Sequence, residues 1–358
     1  MLNNYSKKIA ILGGGQLGMM LAKDAKKLGF QTICLTPKTK EKQPAEFICD
    51  KIIFANYDDN EALKKLAEEA DFITYEFENI PYKSIEFLEK IKPTNPPAQA
   101  IFTAQNRLRE RSFFRDNKLP THRFRHCKNP QDISNAFDEL KIEKAILKTS
   151  DYGYDGKGQA RVSKNDDFTK IWQELNFNSI ILEEFVDFDF EISVILARKN
   201  NNEIAIFPIG RNTHRDGILR VSELPINLSE KTKNQAEQTA IKIAELLNYV
   251  GVLAVEFFVL KNGDISINEI APRVHNSGHW TQDGCNISQF EQHIRAISSL
   301  PLISPKLTCT NIRMENIIGE DIYKIAEYKK NSNAKIHLYG KNEVKKGRKL
   351  GHVNITSN

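Results

Sequence analysis

Two apolar runs rich in β-branched and aromatic residues, 252–260 and 265–271, flank Lys261, Asn262, Gly263 and Asp264. Asn-Gly between such runs calls for a hairpin, because both central residues of a type I′ turn take positive φ. With Asn262 and Gly263 as the two loop residues, Lys261 faces Asp264 and Glu256 falls directly opposite Glu269. The face these acids share is expected to hold Ala254, Phe258, Ile265 and Ile267. Two carboxylates facing each other there repel by on the order of a few kcal/mol at an effective dielectric of about 20. A divalent cation between them reverses the sign. Glu256 and Glu269 are therefore the candidate metal ligands, favoured over one protonated carboxylate or a slipped register.

The polar run that follows, 271–284, is dense in donors: Arg273, His275, Asn276, Ser277, His279 and Trp280. It leads into residues 287–297, whose apolar spacing is helical. Loops placed by rigid strands carry function disproportionately. Arg273 can clamp an oxyanion there, and His275 can move a proton. His275 and His279 lack an obvious third ligand, so a zinc site is not expected.

With 358 residues the chain should hold two or three domains and a substantial core. A net charge of +5 is too mild to imply generic nucleic-acid binding. Cys34, Cys49, Cys127, Cys285 and Cys309 form no CxxC pair and no metal spacing, which fits free thiols in a reducing compartment. No apolar run approaches membrane-spanning length and no signal-peptide core opens the chain, so a cytoplasmic protein is expected.

From the N-terminus, residues 7–12 read as a strand, and Gly13, Gly15 and Gly18 complete a GxGxxG pattern that opens a helix through Leu28. Such a turn aims backbone N–H groups at an anion. The second strand ends in Thr36 and Pro37 where a dinucleotide site wants an acid, so another phosphate is the expected anion. The alternative is glycines that merely let helix and strand pack closely. Strands at 51–54 and 71–75 around a helix at 60–69 imply a parallel sheet. Glu76 and Glu78 sit just past a strand end, where α/β sheets place ligands, although a solvated acidic turn fits the spacing equally well. Residues 93–97 read as a linker.

A helix over 107–115, a strand over 145–148 ending in Lys148, and a strand over 160–162 bracket Gly153, Tyr154, Asp155, Gly156, Lys157, Gly158 and Gln159. Glycines there allow close backbone approach to phosphates, and Lys148 and Lys157 add charge, so a mobile phosphate-covering flap is expected over a plain Gly-rich hairpin. Residues 179–186 form a strand ending in Glu183 and Glu184. An antiparallel sheet continues through 191–197 and 204–207, with His214 in a polar loop, and 231–247 is an amphipathic helix. Past Pro301, short strands at 312–317, 334–338 and 351–355 suggest a small third unit.

This order of parts resembles the ATP-grasp superfamily: a glycine-opened α/β domain, a strand lysine, a Gly-rich flap, a strand ending in Glu-Glu, and two facing acidic strands. Within it, the runs 13–18, 153–159, 268–280 and 347–352 resemble the branch that carboxylates aminoimidazole ribonucleotide in purine biosynthesis. The resemblance spans nearly the whole chain. It implies an α/β and α+β architecture: a Rossmann-like domain over 1–97, an ATP-grasp domain over 98–300 with its flap lobe at about 120–186, and a small β-rich domain over 301–358.

By the same resemblance, ATP, bicarbonate and aminoimidazole ribonucleotide give the N5-carboxylated ribonucleotide, ADP and phosphate through carboxyphosphate. Arg107 and Lys148 are expected on the nucleotide phosphates beneath the flap residues Gly153 to Gln159. Glu183, Glu184, Phe185 and Val186 are expected at the adenine edge, Glu191 at the ribose hydroxyls, and His214, Asn268 and Glu269 around them, with magnesium on Glu256 and Glu269. Gln16, Leu17, Glu76, Lys341, Arg348 and Lys349 match positions that hold the phosphoribosyl substrate. Asp155, Arg273 and His275 are expected to serve the carboxylation, and a homodimer is the family expectation. The pattern departs at Lys345 and Lys346, where relatives carry Arg-Pro, and a trimmed third unit is expected.

The nearest rival is a formate-dependent glycinamide ribonucleotide transformylase, which shares the N-terminal loop and acyl-phosphate logic but not the run 275–280. A Rossmann oxidoreductase fails on the missing acid after the second strand. An RNA-binding reading would rest only on the basic loop 345–349.

Overall fold

The computed structural model describes residues 6–151, 158–175 and 179–357. Its first sheet is parallel, in the order β3-β2-β1-β4. The strands are β1 (Lys8–Leu12), β2 (Gln31–Thr36), β3 (Lys51–Phe54) and β4 (Phe72–Tyr75). Helix α1 (Gln16–Lys27) crosses from β1 to β2, and α2 (Asn60–Glu69) from β3 to β4. Asp59 starts α2 by accepting from the N–H groups of Glu61 and Ala62. That side-chain cap satisfies donors the helix cannot use internally. Helices α3 (Tyr82–Glu89) and α4 (Ala98–Ala104) follow. Ala10, Leu12, Ile33, Leu63, Leu66, Ile73, Ile85 and Ile101 close the core between sheet and helices.

Helix α5 (Arg107–Asp116) leads into a lobe with its own antiparallel sheet, ordered β5-β8-β6-β7. It comprises β5 (Phe124–Cys127), α6 (Pro130–Leu140), β6 (Lys144–Thr149), β7 (Gln159–Ser163), α7 (Phe168–Leu175) and β8 (Ile180–Glu184). Leu147, Ile180 and Leu182 pack beneath Ile133, Phe137 and Phe168. The expected pairing of the strands either side of the glycine run is present, with Lys148 opposite Gln159.

The central sheet has nine strands. They are β9 (Phe188–Arg198), β10 (Ile204–Ile206), β11 (Gly210–Arg215), β12 (Ile218–Leu224), β13 (Gly251–Leu260), β14 (Ile265–Ala271), β15 (Asn311–Ile318), β16 (Ala334–Leu338) and β17 (Lys349–Ser357). The path runs β14-β13-β9-β11-β12-β15-β17-β16, with β10 on β9. The last three strands therefore continue the central sheet through β12 instead of forming a sheet of their own. Alternation along β13 splits the core. Leu253, Val255 and Phe257 face α8 (Glu230–Leu246). Val252 and Ala254 face the other way, with Phe290 and Ile294 of the helix at Gln289–Ile297. Glu256 continues that second row.

The turn between β13 and β14 differs from the expected two-residue loop. Leu260 pairs with Asp264, leaving Lys261, Asn262 and Gly263 in the loop, and Gly263 is its one positive-φ residue at 83°. Asn262 instead uses its side chain to accept from the Asp264 N–H at 3.0 Å. The longer loop shifts the register by one residue, so that Phe258 faces Ser266 and Phe257 faces Ile267. A bulge at Asn268 then restores it, and Glu256 faces Glu269 after all. Because strand faces alternate, the shift places Ile265 and Ile267 in the α8-side core, away from the acids.

Candidate active site

A polar strip crosses the second face of the central sheet. Glu269, Glu256 and Ser193 are successive cross-strand neighbours, and Glu191 lies one pleat beyond Ser193, opposite Asn212. Glu256 is buried and Glu269 exposed. Oε1 of Glu256 has no hydrogen-bond partner. Burial, opposed by His214 and reinforced by Glu269 and Glu191, raises its carboxyl to about 7. His214 lies within β11, not in a loop, and forms an ion pair with Glu191. Burial alone would lower its pKa, but Glu191 and Glu256 carry it up to about 9.

A buried carboxylate oxygen without a partner, facing a second carboxylate, fits a hard cation with oxygen ligands. No cluster of three or more His, Cys, Asp or Glu ligands occurs among the described residues. The facing pair Glu256 and Glu269 suits magnesium, which takes one or two carboxylates and completes its shell with water and phosphate oxygens.

The polar tail folds back over this strip. His275 Nδ1 lies 3.6 Å from Glu256 Oε1 and 2.8 Å from Ser277 Oγ. Its backbone is gripped at both ends by Gln289, which accepts from its N–H at 2.9 Å and donates to its carbonyl at 2.6 Å. Burial, then Arg273 and Lys349, hold the imidazole well below its usual range, so it is neutral at pH 7. Arg273 pairs through Nε with Glu78 and donates through Nη1 to the Val274 carbonyl at 3.1 Å. The far end of the tail is pinned to the C-terminal strands: Asn354 donates to the His279 carbonyl at 3.0 Å, and His337 meets Asp283 at 2.7 Å.

On the lobe side, Lys148 Nζ lies 2.5 Å from Glu183 Oε2. Glu183 is 2% exposed and also takes Arg111 Nε at 2.7 Å and His122 Nε2 at 3.1 Å. Burial would raise its carboxyl, but Arg111, Lys148 and His122 hold it well below the usual range. Burial and Arg111 lower His122 to about 4, so it donates as a neutral imidazole. Arg107 Nη1 donates to the Thr149 carbonyl at 2.9 Å. The Glu184 carboxylate turns outward to Arg123, with Nη2 to Oε1 at 2.6 Å, and Phe185 N donates to the Lys144 carbonyl at 3.2 Å. Gly153, Tyr154, Asp155, Gly156 and Lys157 lie outside the described residues. Gly158, at φ 66°, accepts from Thr149 N at 2.8 Å.

At the N-terminal loop the anion is the protein's own. Glu76 accepts from Gly15 N at 2.5 Å and from Gly18 N at 2.6 Å, so the donors at the start of α1 that were expected to hold a phosphate hold a carboxylate. A side chain on Gly13 or Gly15 would collide with Glu76. Burial raises the Glu76 carboxyl against those two N–H bonds. Around it, Lys341 is lowered to about 8 by burial, then by Arg348, while Glu76 acts in the opposite sense. Lys341 Nζ donates to the Lys349 carbonyl at 3.0 Å, and Arg348 lies 3.9 Å from Glu41. Segments from the two ends of the chain thus meet here, Lys341 facing Glu76 and Arg348 facing Glu41, while Leu17 is buried in the core.

Family models match in three consecutive blocks: the ribonucleotide synthetase preATP-grasp domain over residues 6–105, the ATP-grasp domain over 112–290, and the phosphoribosylaminoimidazole carboxylase C-terminal domain over 313–358. The N5-carboxyaminoimidazole ribonucleotide synthase of Brucella melitensis is 44% identical, with 96% of this chain and 95% of that one covered. The Bacillus subtilis protein of the same name is 39% identical, with 96% and 90% covered. This chain belongs to the N5-carboxyaminoimidazole ribonucleotide synthase family. Among solved members, an ADP complex superimposes with a TM-score of 0.93 at 41% identity, covering 98% of this chain and 93% of the other. The Aspergillus clavatus synthase in complex with ADP and 5-aminoimidazole ribonucleotide gives 0.91 at 30% identity, covering 100% and 95%.

Sequence reasoning missed Glu110, Arg111 and His122 in this synthase. Arg111 is one of four arginines in α5, and nothing in their spacing marks it as the buried one. His122 follows Leu119 and Pro120 without a motif, so only the fold reveals that it faces Glu183.

Proposed function

We propose that the chain carries out the family reaction with its parts divided among these residues. In it, 5-aminoimidazole ribonucleotide is carboxylated with bicarbonate at the expense of ATP, in purine biosynthesis. A bicarbonate oxygen attacks the γ-phosphorus of ATP and ADP departs, giving carboxyphosphate. The N5 amine then attacks its carbonyl carbon, the C–O bond to phosphate breaks, and the amine loses a proton. Bicarbonate is a poor electrophile, and the phosphoryl group supplies the leaving group it lacks. Carboxyphosphate hydrolyses in open water, which calls for closure over the site.

Lys148 and Arg107 meet the nucleotide phosphates, the run from Glu183 to Val186 meets the adenine edge largely through its backbone, and Glu191, oriented by protonated His214, takes the ribose hydroxyls; the 153–159 run joins the phosphates by sequence resemblance alone. Glu256 and Glu269 would hold magnesium, with Asn268 beside them at the nucleotide; bound there, the ion would neutralise charge on the transferred phosphoryl group. Arg273 steadies the carboxyl oxygens, and neutral His275 takes the proton lost by the amine. Asp155 belongs to the same step by sequence alone. Lys341, Arg348 and Lys349 take the substrate's phosphate, while Glu76, Gln16 and Leu17 line its ribose. A cytoplasmic homodimer with units near 1–97, 98–300 and 301–358 completes the reading.

The observation that carries it is the partnerless buried oxygen of Glu256, set between His275 and Glu269. The test is phosphate release from ATP by the purified chain, with and without bicarbonate and aminoimidazole ribonucleotide. Turnover dependent on the ribonucleotide and yielding the N5-carboxylated product is expected. Turnover independent of the ribonucleotide, or supported by formate and glycinamide ribonucleotide, refutes it.

A further inference from the structure

We infer that Arg111 is a positioning residue that holds the bulge carrying Glu269 opposite Glu256 and joins it to the carboxylate that anchors Lys148. The inference rests on the metal and phosphate roles proposed above for those three residues.

The bulge at Asn268 decides where Glu269 points. Without it the register set at the turn would continue, and Glu269 would project from the opposite face. A bulge also takes backbone groups out of the ladder, and each one buried needs another partner. Helix α5 supplies them from two adjacent residues. Arg111 Nη2 donates to the Asn268 carbonyl and Nη1 to the Ile267 carbonyl at 2.8 Å. Glu110 accepts from the Ile270 N–H at 2.8 Å. Glu269 is thus bracketed by backbone groups that α5 holds.

The same guanidinium reaches into the lobe. Its Nε donates to Glu183 Oε1 at 2.7 Å, and Nη1 also meets Thr121 Oγ1 at 3.2 Å. The other Glu183 oxygen holds Lys148. One unbroken path therefore runs from the Asn268 carbonyl through Arg111 and Glu183 to Lys148. Arg111 is 2% exposed, and a planar fork of five donors can serve all these acceptors at once, whereas a lysine ammonium cannot. Partners that orient metal ligands without touching the metal typically change affinity by about 10- to 100-fold when removed.

The test compares Arg111→Lys, Glu269→Gln and the double variant in the full chain. Mn²⁺ binding is read by water-proton relaxation with a non-hydrolysable ATP analogue present, alongside thermal melting and the KM values for both substrates. Arg111→Lys should weaken Mn²⁺ binding by about tenfold or more while the KM for aminoimidazole ribonucleotide holds within about twofold. The double variant should bind Mn²⁺ no more weakly than Glu269→Gln. Mn²⁺ binding like wild type in Arg111→Lys, or a double variant whose losses multiply, overturns the inference. If Arg111→Lys does not fold, Glu110→Leu, which removes the acceptor for the Ile270 N–H, must show the same selective loss of Mn²⁺, and wild-type binding there overturns it too. Wild-type Mn²⁺ binding by Glu269→Gln would instead overturn the metal reading itself, and this inference with it.

Discussion

Replacing Glu256 by Gln should stabilise the metal-free protein and destroy its catalysis, and the size of the gain can be worked from the site. Burial, resisted by His214 and reinforced by Glu269, raises the Glu256 carboxyl from 4.5 to about 7. A group whose folded pKa lies above its unfolded value leaves stability intact below the unfolded pKa and loses it as pH rises through the folded one. Ionised Glu256 therefore weakens the apo fold progressively between about pH 4.5 and 7, and the loss levels off above that. Two and a half pKa units at about 1.4 kcal/mol each give roughly 3 kcal/mol as an upper bound, because the exposed Glu269 partner is screened by water. Glutamine keeps the shape, carries no charge at any of these pH values, and can donate to Glu269.

In EDTA, then, the melting temperature of Glu256→Gln should match wild type near pH 4.5 and exceed it by several degrees at pH 8. With magnesium and an ATP analogue the order should invert, since only wild type gains binding energy. Differential scanning fluorimetry from pH 4.5 to 9 decides the matter. A variant no more stable than wild type at pH 8 without metal, or a difference that does not change with pH, would refute the argument.

Three further outcomes follow from the same geometry. His214 is raised to about 9 despite burial, so its contribution is fully present below about pH 6.5 and lost as pH rises through 9; His214→Asn should flatten the alkaline fall in melting temperature. Arg348→Ala should raise the KM for aminoimidazole ribonucleotide about tenfold to hundredfold with little change for ATP, since a charge-assisted hydrogen bond contributes roughly 1.5–3 kcal/mol; a loss confined to ATP would show the basic cluster assigned to the wrong substrate. Gly18→Ala would set a Cβ 2.6 Å from the Gly13 carbonyl, and a denaturation midpoint unchanged from wild type would contradict that packing; about 1–3 kcal/mol of destabilisation is expected.

Periodicity made most elements legible, because strands and helices announce themselves by which residues must be buried. β2, α2, β3, β14 and β16 end where the pattern ends. The hairpin shows why registers are harder. Asn-Gly correctly marked the turn, yet Asn262 kept negative φ and used its side chain on Asp264, which lengthened the loop by one residue. The acids still met, only because the bulge at Asn268 cancelled the shift. Nothing in the residues at 265–271 announces that bulge, since what satisfies it comes from α5, over 150 residues away.

The glycine loop was misread for a related reason. GxGxxG specifies donors aimed at an anion, and that physics holds, but the pattern does not specify which anion. Glu76 ends a neighbouring parallel strand and reaches Gly15 and Gly18 only once β1 and β4 pair. The loop's donors are therefore occupied before any substrate arrives, and a phosphate entering it would have to displace a buried carboxyl group from the same N–H groups. On the reading proposed above, the substrate's phosphate goes to Lys341, Arg348 and Lys349, and Glu76 lies on the ribose side. The glycines admit that acid, since a side chain on Gly13 or Gly15 would collide with it.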